Sequence, residues 1–160
     1  MRIGQGFDLH KLGKDRELII GGITIPSEKG EISHSDGDVL LHSIIDAILG
    51  ACGSSDIGSH FSDSDPKYKD ISSSILLEET LKLYPIEIIN LDCTIILQTP
   101  KLMNFIPSIK KNIAKLLAID ISRIAVKTKT AEHILGELGN GDAIIAQTVI
   151  LIEEAPDLWV

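Results

Sequence analysis

The stretch HSDGDVLLH, residues 34–42, is the part of the sequence from which both the fold and a functional site can be predicted. Its first half has the composition of a turn, and Asp36 or Asp38 can cap a helix that follows. From Val39 onward, apolar residues recur at helical spacing until a glycine-containing segment is reached. The stretch therefore predicts a turn and then a helix that carries His42.

A second segment, residues 2–10 (RIGQGFDLH), has apolar residues at odd positions and predicts a strand with glycines where backbone or a ligand comes close. Because residues two apart on a strand share a face, Asp8 and His10 point the same way. Together with His42 they form an aspartate and two histidines with a fourth position open, the donor set of a catalytic zinc. Manganese or iron suits the same ligand types. An ordinary polar strand end and a solvated helix surface are the alternatives.

The sequence also predicts which groups would orient His42. A metal-bound histidine usually donates its other ring N–H to a carboxylate, which selects the tautomer. Asp38 and Asp46 lie one helical turn on either side of His42, so we expect them to be these second-layer carboxylates.

Composition limits the function classes. With 160 residues, 44% of them hydrophobic, we expect residues 1–160 to form one domain with an aliphatic core. A formal net charge of −8 argues against nucleic acid as a partner. Cys52 and Cys93 have no metal-binding spacing and indicate free thiols in a reducing cytoplasm. No apolar run reaches membrane-spanning length, and we see no signal or transit peptide.

The order of predicted elements is β-β-α-α-β-α-β-β, which indicates a single α/β (α+β) domain with helices packed on one face of a mixed sheet. The other face then needs cover, and the alternating apolar residues of the last strands suggest that another subunit supplies it. The predicted strands are 2–10, 17–25, 86–98, 124–130 and 143–152; the predicted helices start at residue 39 and span 72–84 and 105–119, and 131–142 is a glycine-bearing loop.

The end of one predicted strand has features of a phosphate site. In residues 127–132 (KTKTAE), threonine hydroxyls and the N–H groups of the following loop can donate to phosphate oxygens. Glu132 beside them can hold a magnesium ion that bridges such oxygens. An amphipathic strand running into a turn explains the same residues without a ligand.

Several motifs occur in an order that is specific in combination. They are FDLH at 7–10, the block from His34 through His42 to Ala51, DIG at 56–58 with 61–66, Gln98 with Pro100-Lys101, and Thr130 with Glu132. Together they closely resemble the 2-C-methyl-D-erythritol 2,4-cyclodiphosphate synthase family of the non-mevalonate isoprenoid pathway. The resemblance spans nearly the whole chain, and the HSDGD-x3-H block carries most of its specificity.

The resemblance implies a homotrimer whose sheets face the threefold axis and whose active sites lie between subunits. It implies zinc on Asp8, His10 and His42, and magnesium or manganese on Glu132. The implied lyase reaction converts 4-diphosphocytidyl-2-C-methyl-D-erythritol 2-phosphate into the 2,4-cyclodiphosphate and CMP, by attack of the 2-phosphate on the β-phosphorus. Such phosphoryl transfer needs positioning and charge neutralisation rather than a protein nucleophile.

The same resemblance assigns roles to individual residues. It implies that His34 and Thr130 stabilise the pentavalent transition state. It further implies two groups of substrate contacts. The erythritol phosphate would meet Asp8, His10, His34, Ser35, Asp56, Ile57, Gly58, Phe61, Ser62, Asp63, Ser64 and Asp65. Cytidine diphosphate would be held by a neighbouring subunit's Leu97, Gln98, Thr99, Pro100, Lys101, Leu102, Met103, Lys129, Thr130, Ala131 and Glu132.

One segment departs from the family pattern. Family members usually carry an aromatic residue and an arginine in the glycine-rich loop after the glutamate, toward a central cavity of the trimer. Here residues 135–141 (LGELGNG) have neither. The catalytic set is untouched by this departure.

Two other functions fit parts of the sequence. A metal-dependent phosphohydrolase would use the same ion to generate hydroxide. A non-catalytic protein that binds prenyl or nucleotide phosphates would fit the altered loop, although the retained ligand positions argue against lost catalysis.

Overall fold

The structure is a computed structural model that describes residues 1–62 and 64–154, with only the backbone of Glu154. Seven strands and five α-helices are assigned within these ranges. The strands are β1 (Arg2–Gly13), β2 (Leu18–Ile20), β3 (Ile23–Ile25), β4 (Gly30–Ile32), β5 (Ile86–Leu97), β6 (Ile124–Lys129) and β7 (Ala143–Glu154). The helices are α1 (Val39–Ala51), α2 (Ile57–His60), α3 (Ser73–Leu83), α4 (Ile106–Leu117) and α5 (Glu137–Asn140), with short 3₁₀ turns at Pro66–Tyr68 and Ile121–Arg123.

Five of the strands form one mixed sheet in the order β4-β1-β7-β5-β6. Strand β7 pairs antiparallel with both β1 and β5, whereas β5 and β6 run parallel. The prediction of one α+β domain with a mixed sheet is therefore confirmed. Strand β7, central and hydrogen-bonded on both sides, is rich in β-branched residues, as expected for a strand with few exposed backbone groups.

Helix α1 is the centre of the core. Eleven of its thirteen residues, Val39–Leu41 among them, are buried. Asp38 caps its N-terminus by accepting a hydrogen bond from the backbone N–H of Leu41, and the predicted cap is thus confirmed. A helix this enclosed must pack on several sides, and it contacts β1, β7 and α3.

Two glycines set the distance between β1 and α1. A Cβ added at Gly4 would lie 1.8 Å from the backbone oxygen of Ala47, and one added at Gly6 would lie 1.9 Å from that of Ser43. No side chain fits these distances, so the strand and helix backbones touch only because both residues are glycine. The contact brings the second half of β1, with Asp8 and His10, next to the first turn of α1.

The opposite face of the sheet is exposed and partly apolar. Ile3, Phe7 and Leu9 of β1 are 71%, 52% and 54% exposed, and Val149 of β7 is 44% exposed. They alternate with the glycines and aspartate that face α1. Helix α5 packs on this face at one end, where Leu138 clusters with Ala143 and Ile145 of β7 and lines a cavity with Leu9.

Some boundaries differ from those expected. The predicted strand 17–25 is a hairpin of β2 and β3 outside the main sheet, because Gly21 and Gly22 both have positive φ and turn the chain. Strand β4 and helices α2 and α5 were not predicted, and each is too short to show a hydrophobic period. Within the described ranges we find no helix with the length and apolar character needed to cross a membrane.

Candidate metal and phosphate site

Asp8, His10 and His42 converge at the junction of β1 and α1. One ligand atom from each lies within 4.8 Å of the others. The Oδ2 of Asp8 is 2.9 Å from Nε2 of His10 and 3.0 Å from Nδ1 of His42. The structure therefore brings together the three side chains that were predicted from the sequence to be ligands, at distances that one cation can bridge.

The charge state of this cluster matches that arrangement. Burial acts to raise the pKa of Asp8, but hydrogen bonds from His10 and His42 outweigh it and hold this pKa below its usual value. Burial acts to lower the pKa of His42, yet the bond to Asp8 and the nearby carboxylates leave it raised. The site therefore favours an ionised Asp8 next to positive charge. A bound cation can supply that charge in place of the extra protons on the two histidine rings.

The turn at the start of the 34–42 block orients His10. Its Nδ1 lies 2.9 Å from the backbone oxygen of Gly37. Because a carbonyl oxygen only accepts, Nδ1 must carry the proton, and Nε2 is left to face Asp8 and the site. Gly37 has φ +83°, a conformation that favours glycine and allows this carbonyl to be presented.

The prediction that Asp38 and Asp46 bond to the ring of His42 is wrong. Its second nitrogen, Nε2, is 2.9 Å from the hydroxyl of Ser73 and 3.2 Å from that of Ser35, and neither Asp38 nor Asp46 bonds to the ring. Helical spacing placed the two aspartates on adjacent turns, but their side chains point to backbone N–H groups instead.

Asp38 and Asp46 therefore have structural roles. Asp38 accepts from the N–H groups of Gly21, Gly22 and Leu41, and so ties the β2–β3 hairpin to the start of α1. Burial raises its pKa to about 6, against the lowering effect of these three bonds. Asp46 accepts from the N–H of Ile57 at 2.8 Å, which joins α1 to α2, and burial also raises its pKa.

A cavity of about 160 Å³ opens beside the three ligands. It is lined by eight predicted site residues and three that were not predicted. The predicted ones are Asp8, His10, His34, Ser35, His42, Ile57, Gly58 and Phe61; the others are Ser33, Tyr68 and Leu76. The Nε2 of His34 is buried without a hydrogen-bond partner among the described residues. Such an atom is costly to leave unsatisfied, so it points to a ligand that accepts or donates there.

The remaining residues of the predicted erythritol phosphate segment lie around this cavity's rim or outside it. Asp56 caps α2 by accepting from the N–H of Ser59. Ser62 and Ser64 bond to each other, and Asp65 caps the following 3₁₀ turn. Asp63 lies outside the described residues.

A second cavity, of about 380 Å³, collects most of the predicted nucleotide contacts. Its lining is Leu97, Pro100, Lys101, Leu102, Met103, Thr128, Lys129, Thr130 and Glu132. Thr128 was predicted as part of the phosphate segment 127–132, and the others were predicted as nucleotide contacts. The hydroxyl of Thr130 donates to the Glu132 carboxylate. This cavity shares no lining residue with the cavity beside the metal ligands.

Three predicted nucleotide contacts lie elsewhere. Thr99 lines a neighbouring cavity with Pro100. Ala131 is buried against Leu138 of α5. Gln98 bonds through its side chain to the backbone N–H and ring of His133, so it holds the segment next to Glu132.

Sequence reasoning also missed the part that Ser73 and Asp36 play near the candidate metal ligands. Ser73 was predicted only to lie in the helix 72–84, and Asp36 only as an alternative cap for the helix that carries His42. Ser73 contacts His42, and Asp36 contacts Ser73. These contacts depend on how α3 packs on α1, and no spacing in the sequence signals them.

The fold and this site define a class of protein: an α+β domain with a candidate metal site of one carboxylate and two imidazoles at a strand–helix junction. A model of the YgbB family matches residues 1–153. The chain belongs to the YgbB family.

Curated relatives match over almost their whole length. The 2-C-methyl-D-erythritol 2,4-cyclodiphosphate synthase of Geobacillus sp. (strain WCH70) is 51% identical over 156 residues, which cover 96% of this chain and 98% of the relative. The enzyme of the same name from Clostridium perfringens (strain 13 / Type A) is 51% identical over 155 residues, covering 95% and 99%.

Solved structures agree with the fold. A CDP-bound 2C-methyl-D-erythritol-2,4-cyclodiphosphate synthase superposes with a TM-score of 0.87 at 32% identity, covering 95% of this chain and 100% of the other. The IspF protein of Plasmodium falciparum, solved as a CDP complex, superposes with a TM-score of 0.82 at 42% identity, covering 96% of each chain.

Proposed function

We propose that this chain is a phosphorus–oxygen lyase of isoprenoid biosynthesis that converts 4-diphosphocytidyl-2-C-methyl-D-erythritol 2-phosphate into 2-C-methyl-D-erythritol 2,4-cyclodiphosphate and CMP. The observation that carries the proposal is the cluster of Asp8, His10 and His42 beside a cavity that is also lined by His34, whose buried Nε2 has no hydrogen-bond partner among the described residues. The names of the curated relatives support the same reaction.

The donor set fits zinc. Two imidazoles and one carboxylate are the ligand types of catalytic zinc, and the adjoining cavity leaves room for a fourth ligand from substrate. Bound there, the ion would polarise a phosphoryl oxygen and neutralise charge that develops on it. Glu132 is the residue to hold magnesium or manganese, because its hard carboxylate lines the second cavity, which we propose takes the diphosphate.

The reaction itself is an internal phosphoryl transfer. An oxygen of the 2-phosphate forms a bond to the β-phosphorus, the bond from that phosphorus to the bridging oxygen breaks, and CMP leaves with its electrons. His34 would donate to the phosphoryl oxygens from the metal side, and Thr130 would donate from the nucleotide side by turning its hydroxyl from Glu132 to these oxygens. The chain's contribution is to hold both phosphates in line, out of bulk water.

The separation of the two cavities supports a site between subunits. His34 lines one cavity and Thr130 the other, and the two share no lining residue. Both groups must meet the same phosphates, so a neighbouring copy has to supply the second half. A homotrimer with the sheets facing its threefold axis would also cover the exposed Ile3, Phe7 and Leu9.

The chain is proposed to act as one domain, residues 1–160, in the cytoplasm. The buried thiol of Cys93 suits a reducing compartment. No nucleic-acid or membrane partner enters the proposal.

The test is a turnover assay on the cytidyl substrate, with products identified by phosphorus NMR. Formation of CMP and the cyclic diphosphate without inorganic phosphate is expected. Release of inorganic phosphate would instead indicate the phosphohydrolase, in which water is the nucleophile. Tight binding of CDP or prenyl diphosphates without turnover would indicate a binding protein.

A further inference from the structure

We propose that Ser73 and Asp36 form a hydrogen-bond relay that fixes the tautomer of His42 and so positions this histidine as a metal ligand. The relay rests on the proposed metal site, and neither residue touches the ion. Both are positioning residues that act through the ring.

The first step of the relay is the contact of His42 with Ser73. Nε2 of His42 lies 2.9 Å from the Ser73 hydroxyl, and the serine is fully buried at the first position of α3. Either group could be the donor if the pair stood alone. The direction is decided by what else the hydroxyl contacts.

Asp36 decides that direction. Its Oδ1 accepts the Ser73 hydroxyl proton, and its Oδ2 accepts the Ser73 backbone N–H at 3.0 Å. A carboxylate has no proton to give, so the Ser73 proton is committed to Asp36. The Ser73 oxygen can then only accept from His42, which places a proton on Nε2 and leaves Nδ1 free to face Asp8 and the site.

Ser35 does not reverse this assignment. Its hydroxyl is 3.2 Å from Nε2 and accepts from the N–H of Gly37 at 3.2 Å. Its own proton has a second partner in the Ser33 hydroxyl, 3.4 Å away. The Ser73 contact is the shorter one, and it is strengthened because the Ser73 hydroxyl also donates to the Asp36 carboxylate.

The relay therefore does for His42 what the Gly37 carbonyl does for His10. Nδ1 of His10 and Nε2 of His42 each keep a proton because each contacts a fixed acceptor. The other ring nitrogen of each histidine then faces Asp8. Outer partners of this kind typically change metal affinity by roughly 10- to 100-fold when removed.

Two variants test the relay from its two ends. Ser73→Ala removes the acceptor while leaving the backbone bond to Asp36. Asp36→Asn keeps an oxygen for the Ser73 N–H and turns its NH₂ toward the Ser73 hydroxyl, whose proton then points at Nε2. Ser43→Ala is the matched control, because Ser43 is also fully buried but bonds to Leu40 and Thr148.

The measurements are the Zn²⁺ dissociation constant by chelator competition, the Co²⁺ absorption spectrum, and the His42 Nε2–H resonance in ¹⁵N-histidine-labelled, Zn²⁺-loaded protein. We expect Ser73→Ala and Asp36→Asn each to weaken Zn²⁺ binding by roughly 10- to 100-fold. Both should also change the Co²⁺ spectrum and shift or lose the Nε2–H signal, whereas Ser43→Ala should keep all three while losing only thermal stability.

The outcomes separate the relay from the site. Wild-type Zn²⁺ affinity and resonance in either relay variant would overturn the relay, as would an equal loss in Ser43→Ala. If the unaltered protein itself binds no Zn²⁺, the proposed metal site fails and the relay fails with it.

Discussion

Nδ1 of His42 lies 3.0 Å from Oδ2 of Asp8, although the two residues are 34 positions apart in the sequence. The contact joins the first helix to the first strand, and His10 completes it from the same strand. The close approach of β1 and α1 at Gly4 and Gly6 makes this contact possible.

We expect His42→Ala to lose zinc and activity together, because only two protein ligands remain. Turnover should fall by about 100-fold or more, the size of effect seen when a group that stabilises developing charge is removed. Metal content by atomic absorption and CMP release measure the two losses. A variant with full zinc content and normal turnover would contradict the assignment of His42.

Glu132→Gln should separate the two metals. The amide keeps the shape of the side chain but loses the charge that a hard cation requires. We expect unchanged zinc content, loss of the magnesium or manganese requirement, and most of the rate lost. A titration of rate against Mg²⁺ measures this, and an unaltered dependence would remove Glu132 from its role.

Mixed trimers of these two variants should regain activity. If one subunit supplies the metal half of a site and its neighbour the nucleotide half, every trimer that contains both variants has one intact site, about a third of its sites. Co-expression with two different tags isolates such trimers, and each variant assayed alone is the control. Mixed trimers as inactive as their parents would show that a single subunit holds the whole site.

Gly6→Ala should be severely destabilising, because its Cβ would lie 1.9 Å from the Ser43 backbone oxygen. The strand must move away from α1, which separates Asp8 from His42 and costs about 3 kcal/mol or more of unfolding free energy. Gly50→Ala is the matched control: its Cβ meets nothing closer than 3.7 Å and lies in a helix. That change should be neutral or stabilise by up to about 1 kcal/mol. Urea unfolding compares them, and equal stabilities would contradict the packing argument.

Ionisation of the buried Glu31 carboxyl should lower the free energy of unfolding as pH rises. Burial, and then the charge of Asp38, raises its pKa well above 4.5, against the lowering effect of the bond from the N–H of Val39. A carboxyl that binds its proton more tightly in the folded state adds to the free energy of unfolding at pH values below its pKa in the unfolded chain. This contribution is lost as pH rises toward the folded pKa, by up to roughly 1.4 kcal/mol per pH unit.

Glu31→Gln removes this titration but keeps an acceptor for Val39. We therefore expect the variant's stability, relative to the unaltered protein, to increase from pH 4.5 to 7.5 in urea unfolding. Glu28→Gln, at an exposed glutamate, should show no such trend. A constant difference between Glu31→Gln and the unaltered protein across this range would refute the assignment.

Much of the site could be predicted because it follows from local periodicity. The two-residue repeat of a strand puts Asp8 and His10 on one face, and the helical stripe after Asp38 places His42 in the first turns of α1. The same kind of reasoning failed for Asp38 and Asp46, since helical spacing says which residues are near but not which backbone groups compete for a side chain. Both carboxylates bond to backbone N–H groups of other segments.

The sequence by itself determined the ligand types, the element order and the resemblance to a family, because residue chemistry and local period depend only on neighbours along the chain. Tertiary structure alone decided that β1 meets α1, that Ser73 rather than an aspartate faces His42, and that His34 and Thr130 line different cavities. These contacts join segments far apart in the chain. Their formation depends on how glycine backbones and buried helices pack, which no local pattern encodes.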